Sequence, residues 1–181
     1  MLSLEWMGWL SETIQTIGDL IPRRIQIEPS QVGIKFKHMT NVIVLPPGCF
    51  WYIPFFTKLR LEPSVKQTLY LGNQIILTSD GTAIKVESSI LFEVFDFVTA
   101  VTKFNCYITQ IDDDARNIIC KYFSTLDYKT NIIGKTGEIN SVLTEMVSET
   151  LKQYGIIVHR VQLTSIASGF PLLHIDNKTN V

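Results

Sequence analysis

Between Ile84 and Val94 the chain alternates without a slip. Ile84, Val86, Ser88, Ile90, Phe92 and Val94 fall on one side, with Lys85, Glu87 and Glu93 on the other. A period of two is the period of a β-strand, whose successive side chains point to opposite faces. One face here needs an apolar partner and the other needs water. That division belongs to antiparallel sheets, because strands covered on both faces read as unbroken apolar runs. A long antiparallel strand is therefore what the rest of the chain must accommodate.

Around it the periods sort the remaining elements. Val32, Ile34 and Phe36 alternate with Gly33, Lys35 and Lys37, and Val42 to Leu45 is a short apolar run ended by Pro46-Pro47-Gly48. Both predict strands. Val65, Gln67, Leu69 and Leu71 share a face of another strand, which Gly72-Asn73 is expected to turn into a hairpin with Gln74 to Thr78. Asp80-Gly81 predicts the next turn. After Phe95 the spacing becomes helical, with Asp96 placed to cap a short helix through Lys103. Ala115, Ile118, Ile119, Tyr122 and Phe123 recur at threes and fours behind Asp112-Asp113-Asp114, whose carboxylates are expected to cap that helix at the positive end of its dipole. Ile139, Val142, Leu143, Met146, Val147, Leu151 and Tyr154 form the core stripe of a last helix from about Glu138 to Tyr154. Gly155 suits the left-handed stop, and Ile156 to Ile166 is a final strand. Strands, then helices, then one returning strand predict an α+β fold: an antiparallel β-sheet with helices on one side. Val32 to Phe36 and Ile156 to Ile166 are the edges expected to be open to pairing between subunits.

Two segments stand outside this scheme. At about 100° per residue, Leu2, Trp6, Trp9, Leu10, Ile14, Ile17, Leu20 and Ile21 share one broad face, opposite Glu5, Glu12 and Asp19, until Pro22 stops the helix. This predicts an N-terminal amphipathic helix over residues 1–22. Its tryptophans suit a membrane interface, although its acidic polar face repels anionic lipid. The same apolar face serves equally to dock on protein. The second segment, Pro46 to Phe56, has eleven residues without a charge and five aromatic rings: Phe50, Trp51, Tyr52, Phe55 and Phe56. Its three prolines exclude a regular helix or a central strand. A loop folded over the core and a wedge in the headgroup region both fit.

The chemistry-bearing residues do not gather into a reactive site. Cys49, Cys106 and Cys120 are odd in number and lack CxxC spacing, which argues against a disulfide framework and a zinc site. A reducing, cytosol-facing setting follows, and their apolar neighbours predict small buried hydrophobes. His38, His159 and His174 lack metal-ligand spacing, and no serine sits in a GxSxG elbow. Gly134-Lys135-Thr136 ends like a phosphate loop, but Lys129 stands where the leading glycine belongs, so the bare-backbone cradle is missing and a linker between helices is expected. The three aspartates have no second acidic cluster to complete an oxygen cage. Sixteen basic and seventeen acidic residues leave a net charge of -1, so no bulk field draws nucleic acid. No stretch approaches the roughly 18 apolar residues of a spanning helix. Arg23 and Arg24 follow the apolar N-terminal segment, whereas a secretory signal puts its basic residues first. No catalytic residue, cofactor or metal is predicted.

Several short motifs nevertheless occur in a telling order. Ser30-Gln31-Val32-Gly33-Ile34 opens it, and Pro47-Gly48-Cys49-Phe50-Trp51-Tyr52-Ile53-Pro54 follows, with Lys58-Leu59-Arg60-Leu61 behind. Then come Thr78-Ser79-Asp80-Gly81-Thr82-Ala83-Ile84-Lys85-Val86 and Ile90-Leu91-Phe92-Glu93-Val94-Phe95-Asp96, with Ala100 and Val101 after it. Ala115-Arg116 and the closing run from Tyr154-Gly155-Ile156 to Ile166 complete the set. In this order they resemble the SPFH family, the band-seven group of prohibitins, stomatins and flotillins. The resemblance covers residues 27–166 and departs from the family at Ser165, where an acidic residue is usual, and at Lys135 to Glu138, which lacks a frequent arginine. An amphipathic helix stands where relatives carry a membrane span, and a polar tail over 167–181 stands where they carry a coiled coil.

The resemblance implies an SPFH domain over 25–166, mainly strands to residue 95 and then helices with the final strand. It implies a non-enzymatic scaffold, peripheral on the cytoplasmic side of a membrane, that forms homo-oligomers and organises or restrains membrane proteins. A membrane-bound AAA protease is one kind of partner. In relatives the first half of the domain faces the membrane, which favours the wedge and makes Leu2, Trp6, Trp9, Leu10, Ile14, Ile17, Phe50, Trp51, Tyr52, Phe55 and Phe56 the expected membrane or partner contacts. The rival expectation is a soluble assembly protein, such as a virion or phage component, that uses the fold for subunit contacts alone.

Overall fold

A computed structural model describes residues 18, 20–37, 41–129 and 135–168. Of the expected N-terminal helix only Gly18 and residues 20–22 are described, with Gly18 and Leu20 helical; its contacts Leu2, Trp6, Trp9, Leu10, Ile14 and Ile17 lie outside the described residues, as does the tail from 169. Strands β1 (Arg23–Ile27), β2 (Gln31–Lys37), β3 (Asn41–Leu45), β4 (Gly48–Tyr52), β5 (Thr57–Pro63), β6 (Gln67–Leu77) and β7 (Ala83–Val94) come first. Helices α1 (Phe97–Lys103), α2 (Tyr107–Ser124) and α3 (Thr136–Lys152) follow, and β8 (Ile156–Ser168) closes the order. The strands pair antiparallel in three groups: β1-β4, β3-β2-β5 and β6-β7-β8. The architecture is α+β.

The long alternating strand is the centre of the largest sheet. All six residues of its apolar set, Ile84 to Val94, are buried, Ser88 included. Against that face pack Ile111, Ala115, Ile119 and Phe123 of α2 and Ile139, Leu143, Val147 and Leu151 of α3, each set spaced by four residues as one helical stripe. The final strand returns beside β7, from Val94 opposite Ile156 to Ile84 opposite Ser168. Two register shifts break that pairing, leaving His159 and Thr164 without a residue opposite them in the β7 ladder. Side chains of α3 serve the backbone there: Val161 N–H donates to Thr144 Oγ1 at 2.9 Å and Leu163 N–H to Asn140 Oδ1 at 3.0 Å. The helix is thereby tied to the sheet by directional bonds as well as by packing.

Gly155 makes the turn from α3 into β8 possible. Its φ is 77°, and a Cβ there would lie 2.6 Å from the Asp96 carbonyl oxygen. The close approach lets the N–H groups of Phe95 and Asp96 donate to Gly155 O at 3.0 and 3.1 Å. Asp96 in turn caps α1, accepting from Thr99 N–H at 3.1 Å and from the Thr99 hydroxyl at 2.6 Å.

The smaller strand groups are built around one close crossing. Gly33 of β2 lies under Ile27 of β1, and a Cβ at residue 33 would come within 2.5 Å of Ile27 Cδ1. Ile27, Val32 and Ile34 are buried in consequence. Strand β5 ties this part to the helical layer through the Tyr107 hydroxyl of α2, which donates to the buried Glu62 at 3.0 Å. Glu62 also pairs with Arg60, whose Nη1 reaches Asn105 O at 3.5 Å.

Several expectations are corrected. Gly72-Asn73 does not turn a hairpin: β6 runs through it, and the pairing with β7 shifts between Leu71 and Gln74, a β-bulge. The three aspartates do not cap α2, which starts at Tyr107 behind Cys106 and carries them in its second turn. There Asp112 pairs with Arg116 at 2.8 Å, one helical turn on. Val142 of the predicted stripe is exposed. The three cysteines are exposed too, not buried. Strand β2 is no edge, because β3 and β5 flank it, whereas β8 is an edge of its sheet.

Candidate functional site

The uncharged segment supplies strand β4 and the turn after it. A strand forms at Gly48–Tyr52 because the prolines stand outside it and because it pairs on one side only, with β1, so no ladder bond is lost. Register sets Arg24 opposite Trp51 and Arg23 opposite Tyr52. One side of the ribbon turns Ile27 inward, while the other carries Trp51 and Arg24 outward, with Arg24 Nη2 donating to Cys49 Sγ at 3.4 Å. Beyond Tyr52 the chain turns tightly, Phe56 N–H donating to Ile53 O at 3.2 Å, and enters β5 at Thr57. Phe55 and Phe56 meet edge to face with ring centroids 5.0 Å apart.

At this end of the ribbon five large apolar side chains face water. Relative exposure is 67% for Trp51, 60% for Ile21, 54% for Phe55, 49% for Phe56 and 47% for Leu20. Tyr52 and Phe50 of the expected contact set are only partly exposed, and Phe50 lies opposite Ile25. Leu20 and Ile21 join the rings because β1 starts at Arg23, one residue after Pro22, beside the end of β4. That juxtaposition is a product of register and is invisible to a linear reading. Leaving several large apolar groups in water at one end of a fold is the mark of an interaction surface.

Elsewhere the titratable groups serve structure. The Tyr107 phenol is pushed up to about 12 by burial, by the charge of Glu62 and by its bond to that carboxylate. The Cys106 thiol is held below its ordinary value by the Thr109 hydroxyl and N–H. His159 lies 3.3 Å from Glu93 on the neighbouring strand. Among the described residues, no cluster of three or more His, Cys, Asp or Glu could hold a metal, and no helix is long and apolar enough to cross a membrane.

The SPFH domain / Band 7 family model matches residues 25–168, from Ile25, the third residue of β1, through the end of β8. The chain belongs to the SPFH/Band 7 family. The match begins at Ile25 within β1, so β4 and the Phe55-Phe56 turn lie inside the matched range, while Leu20, Ile21, Arg23 and Arg24 just precede it. Stomatin homologues of Pyrococcus horikoshii and Pyrococcus abyssi are each 24% identical over 120 residues, which is 66% of this chain and 45% and 44% of those proteins. An uncharacterised protein of Archaeoglobus fulgidus is 20% identical over 163 residues, 90% of this chain and 65% of that protein. The aligned part thus spans less than half the length of the two stomatin homologues.

Proposed function

We propose that this SPFH protein is a non-enzymatic, membrane-associated scaffold that meets the bilayer with the aromatic end of its β1–β4 ribbon. The observation that carries the reading is the convergence of Trp51, Phe55 and Phe56 with Leu20 and Ile21 at one solvent-exposed end. Transfer of about 100 Å² of one ring from water into lipid is worth about 2.5 kcal/mol at about 25 cal/mol/Å². Three rings together then make a reversible anchor, and tryptophan keeps its N–H at the wet boundary while its ring goes deeper. Likeness to stomatin homologues supports membrane association as a class of function. Strand β8 has only β7 as a strand partner among the described residues, and α3 takes its Val161 and Leu163 N–H groups. The rest of its edge supports self-association, which would present many such ends to one bilayer and multiply a weak contact. Such an assembly on the cytoplasmic face would organise or restrain neighbouring membrane proteins, a membrane-bound AAA protease among the partners.

Vesicle flotation tests the contact. The double variant Trp51→Ser, Phe55→Ser is expected to float at least about tenfold less than the wild type, given about 2.5 kcal/mol per ring, with an unchanged thermal melt. Equal flotation of the two proteins would remove the aromatic end from the membrane.

A further inference from the structure

The strand ends that lead into the exposed rings, in β1 and β4 by register and in β5 and β2 across the turn after Tyr52, are charged with one sign. Arg23 and Arg24 open β1 beside Tyr52 and Trp51. Lys37 closes β2 opposite Thr57, the residue that follows the Phe55-Phe56 turn, and Lys58 comes next on β5, opposite Phe36. All four cations are exposed. Among the described residues on these strand ends, 20–25, 35–37, 41–42 and 50–59, there is no carboxylate. The nearest acids along these strands are Glu28, just past the far end of β1, and Glu62, the penultimate residue at the far end of β5. Arg24, Lys37 and Lys58 form no ion pair with a carboxylate among the described residues. A chain of net charge -1 thus carries a local cationic collar around its apolar tip.

We propose, on the basis of the membrane reading above, that this end selects anionic phospholipid. The rings enter the interface while Arg24, Lys37 and Lys58 reach the phosphate and carboxylate level of the headgroups. The occupant follows from charge complementarity. An apolar tip ringed by cations matches a surface that is hydrocarbon in depth and negative at its boundary. A neutral bilayer satisfies the rings and leaves the collar unused.

The test uses the full chain, so that Glu5, Glu12 and Asp19 of the N-terminal segment contribute whatever opposition they have. Partitioning is measured on vesicles of phosphatidylcholine alone and of phosphatidylcholine with about 30 mol % phosphatidylserine, a composition chosen to give a negative surface potential. The wild type is expected to prefer the anionic vesicles, the preference fading in about 0.5 M salt as the Debye length shrinks. The triple variant Arg24→Gln, Lys37→Gln, Lys58→Gln is expected to lose about fivefold in partitioning per cation on anionic vesicles, and little on neutral ones. The ring variant Trp51→Ser, Phe55→Ser should weaken on both. Equal wild-type binding to both vesicles overturns the anionic preference and leaves the membrane reading standing. Wild-type binding to neither vesicle overturns both readings. Full loss of binding in millimolar inorganic phosphate assigns the collar to a soluble anion and overturns the lipid assignment. A lipid-free oligomer that the ring variant abolishes assigns the tip to a second copy of the chain, with the same consequence.

Discussion

Single residues set the closest approaches in this fold, and two glycines show why. Gly33 gives Ile27 room to cross β2, and Gly155 lets the turn before β8 touch the Asp96 backbone. The Asp96 backbone carbonyl in front of Gly155 cannot yield as a flexible side chain would, and φ there is 77°. Gly155→Ala is therefore expected to destabilise more than Gly33→Ala, for which Ile27 can shift its side chain at about 1 to 3 kcal/mol; chemical denaturation of both variants ranks them. The motif reading marked both residues, yet their reasons lie in contacts distant in sequence. The Asp96 carboxyl is held below its usual value by the Thr99 hydroxyl and N–H. A depressed pKa adds stability that is present above the unfolded value of about 3.9 and is lost as pH falls through the folded one. Asp96→Asn keeps a capping oxygen and should flatten this acid limb, whereas Asp96→Ala should cost about 1 kcal/mol at neutral pH. Tyr107 acts at the other extreme. Its raised pKa contributes stability that is complete below about 10 and is lost as pH rises through about 12. Tyr107→Phe should reduce that alkaline loss and, by leaving buried Glu62 one donor short, cost about 1 to 3 kcal/mol at neutral pH. Denaturant midpoints across pH check both signs.

At the scale of elements, legibility followed how much of an element's own sequence decides its state. Strand β7 is plain in the sequence because it is central, with one face against helices and a periodicity that nothing interrupts. The stripe of α3 is plain for the same reason, apart from Val142 at its margin. Strands β1, β4 and β5 were harder to read, since each is short and its state depends on a partner far along the chain. Gly72-Asn73 has the composition of a hairpin turn, but the length of β7 holds both halves of β6 in one line, and the pair becomes a bulge. The aspartate triplet likewise has the composition of a helix start, while Tyr107 and Ile111, buried against the core, carry the helix farther back. The bonds from α3 to β8 give an element-scale prediction. Thr144→Val and Asn140→Ala each leave an N–H of a bulged strand unserved, at about 1 to 3 kcal/mol, with faster amide exchange at Val161 and Leu163.

For the whole molecule the structure makes assembly along a strand edge testable. Strand β8 is thirteen residues long and has β7 as its one partner among the described strands, with Ile157 exposed near its start. If copies join along this edge, Ile157→Lys should lower the mass read by light scattering, with and without vesicles, and leave the melt unchanged, because lysine on an edge opposes strand addition. An unchanged mass would move the subunit contact elsewhere. The sequence by itself determined the α+β class, the buried face of each long element and the family, because these rest on periodicity and on short motifs that a linear reading preserves. Where the apolar surplus emerges was decided by the tertiary structure alone. Cross-strand register sets Trp51 beside Arg24 and brings Lys37 and Lys58 to the same end, and register depends on pairings between segments that the linear order keeps apart.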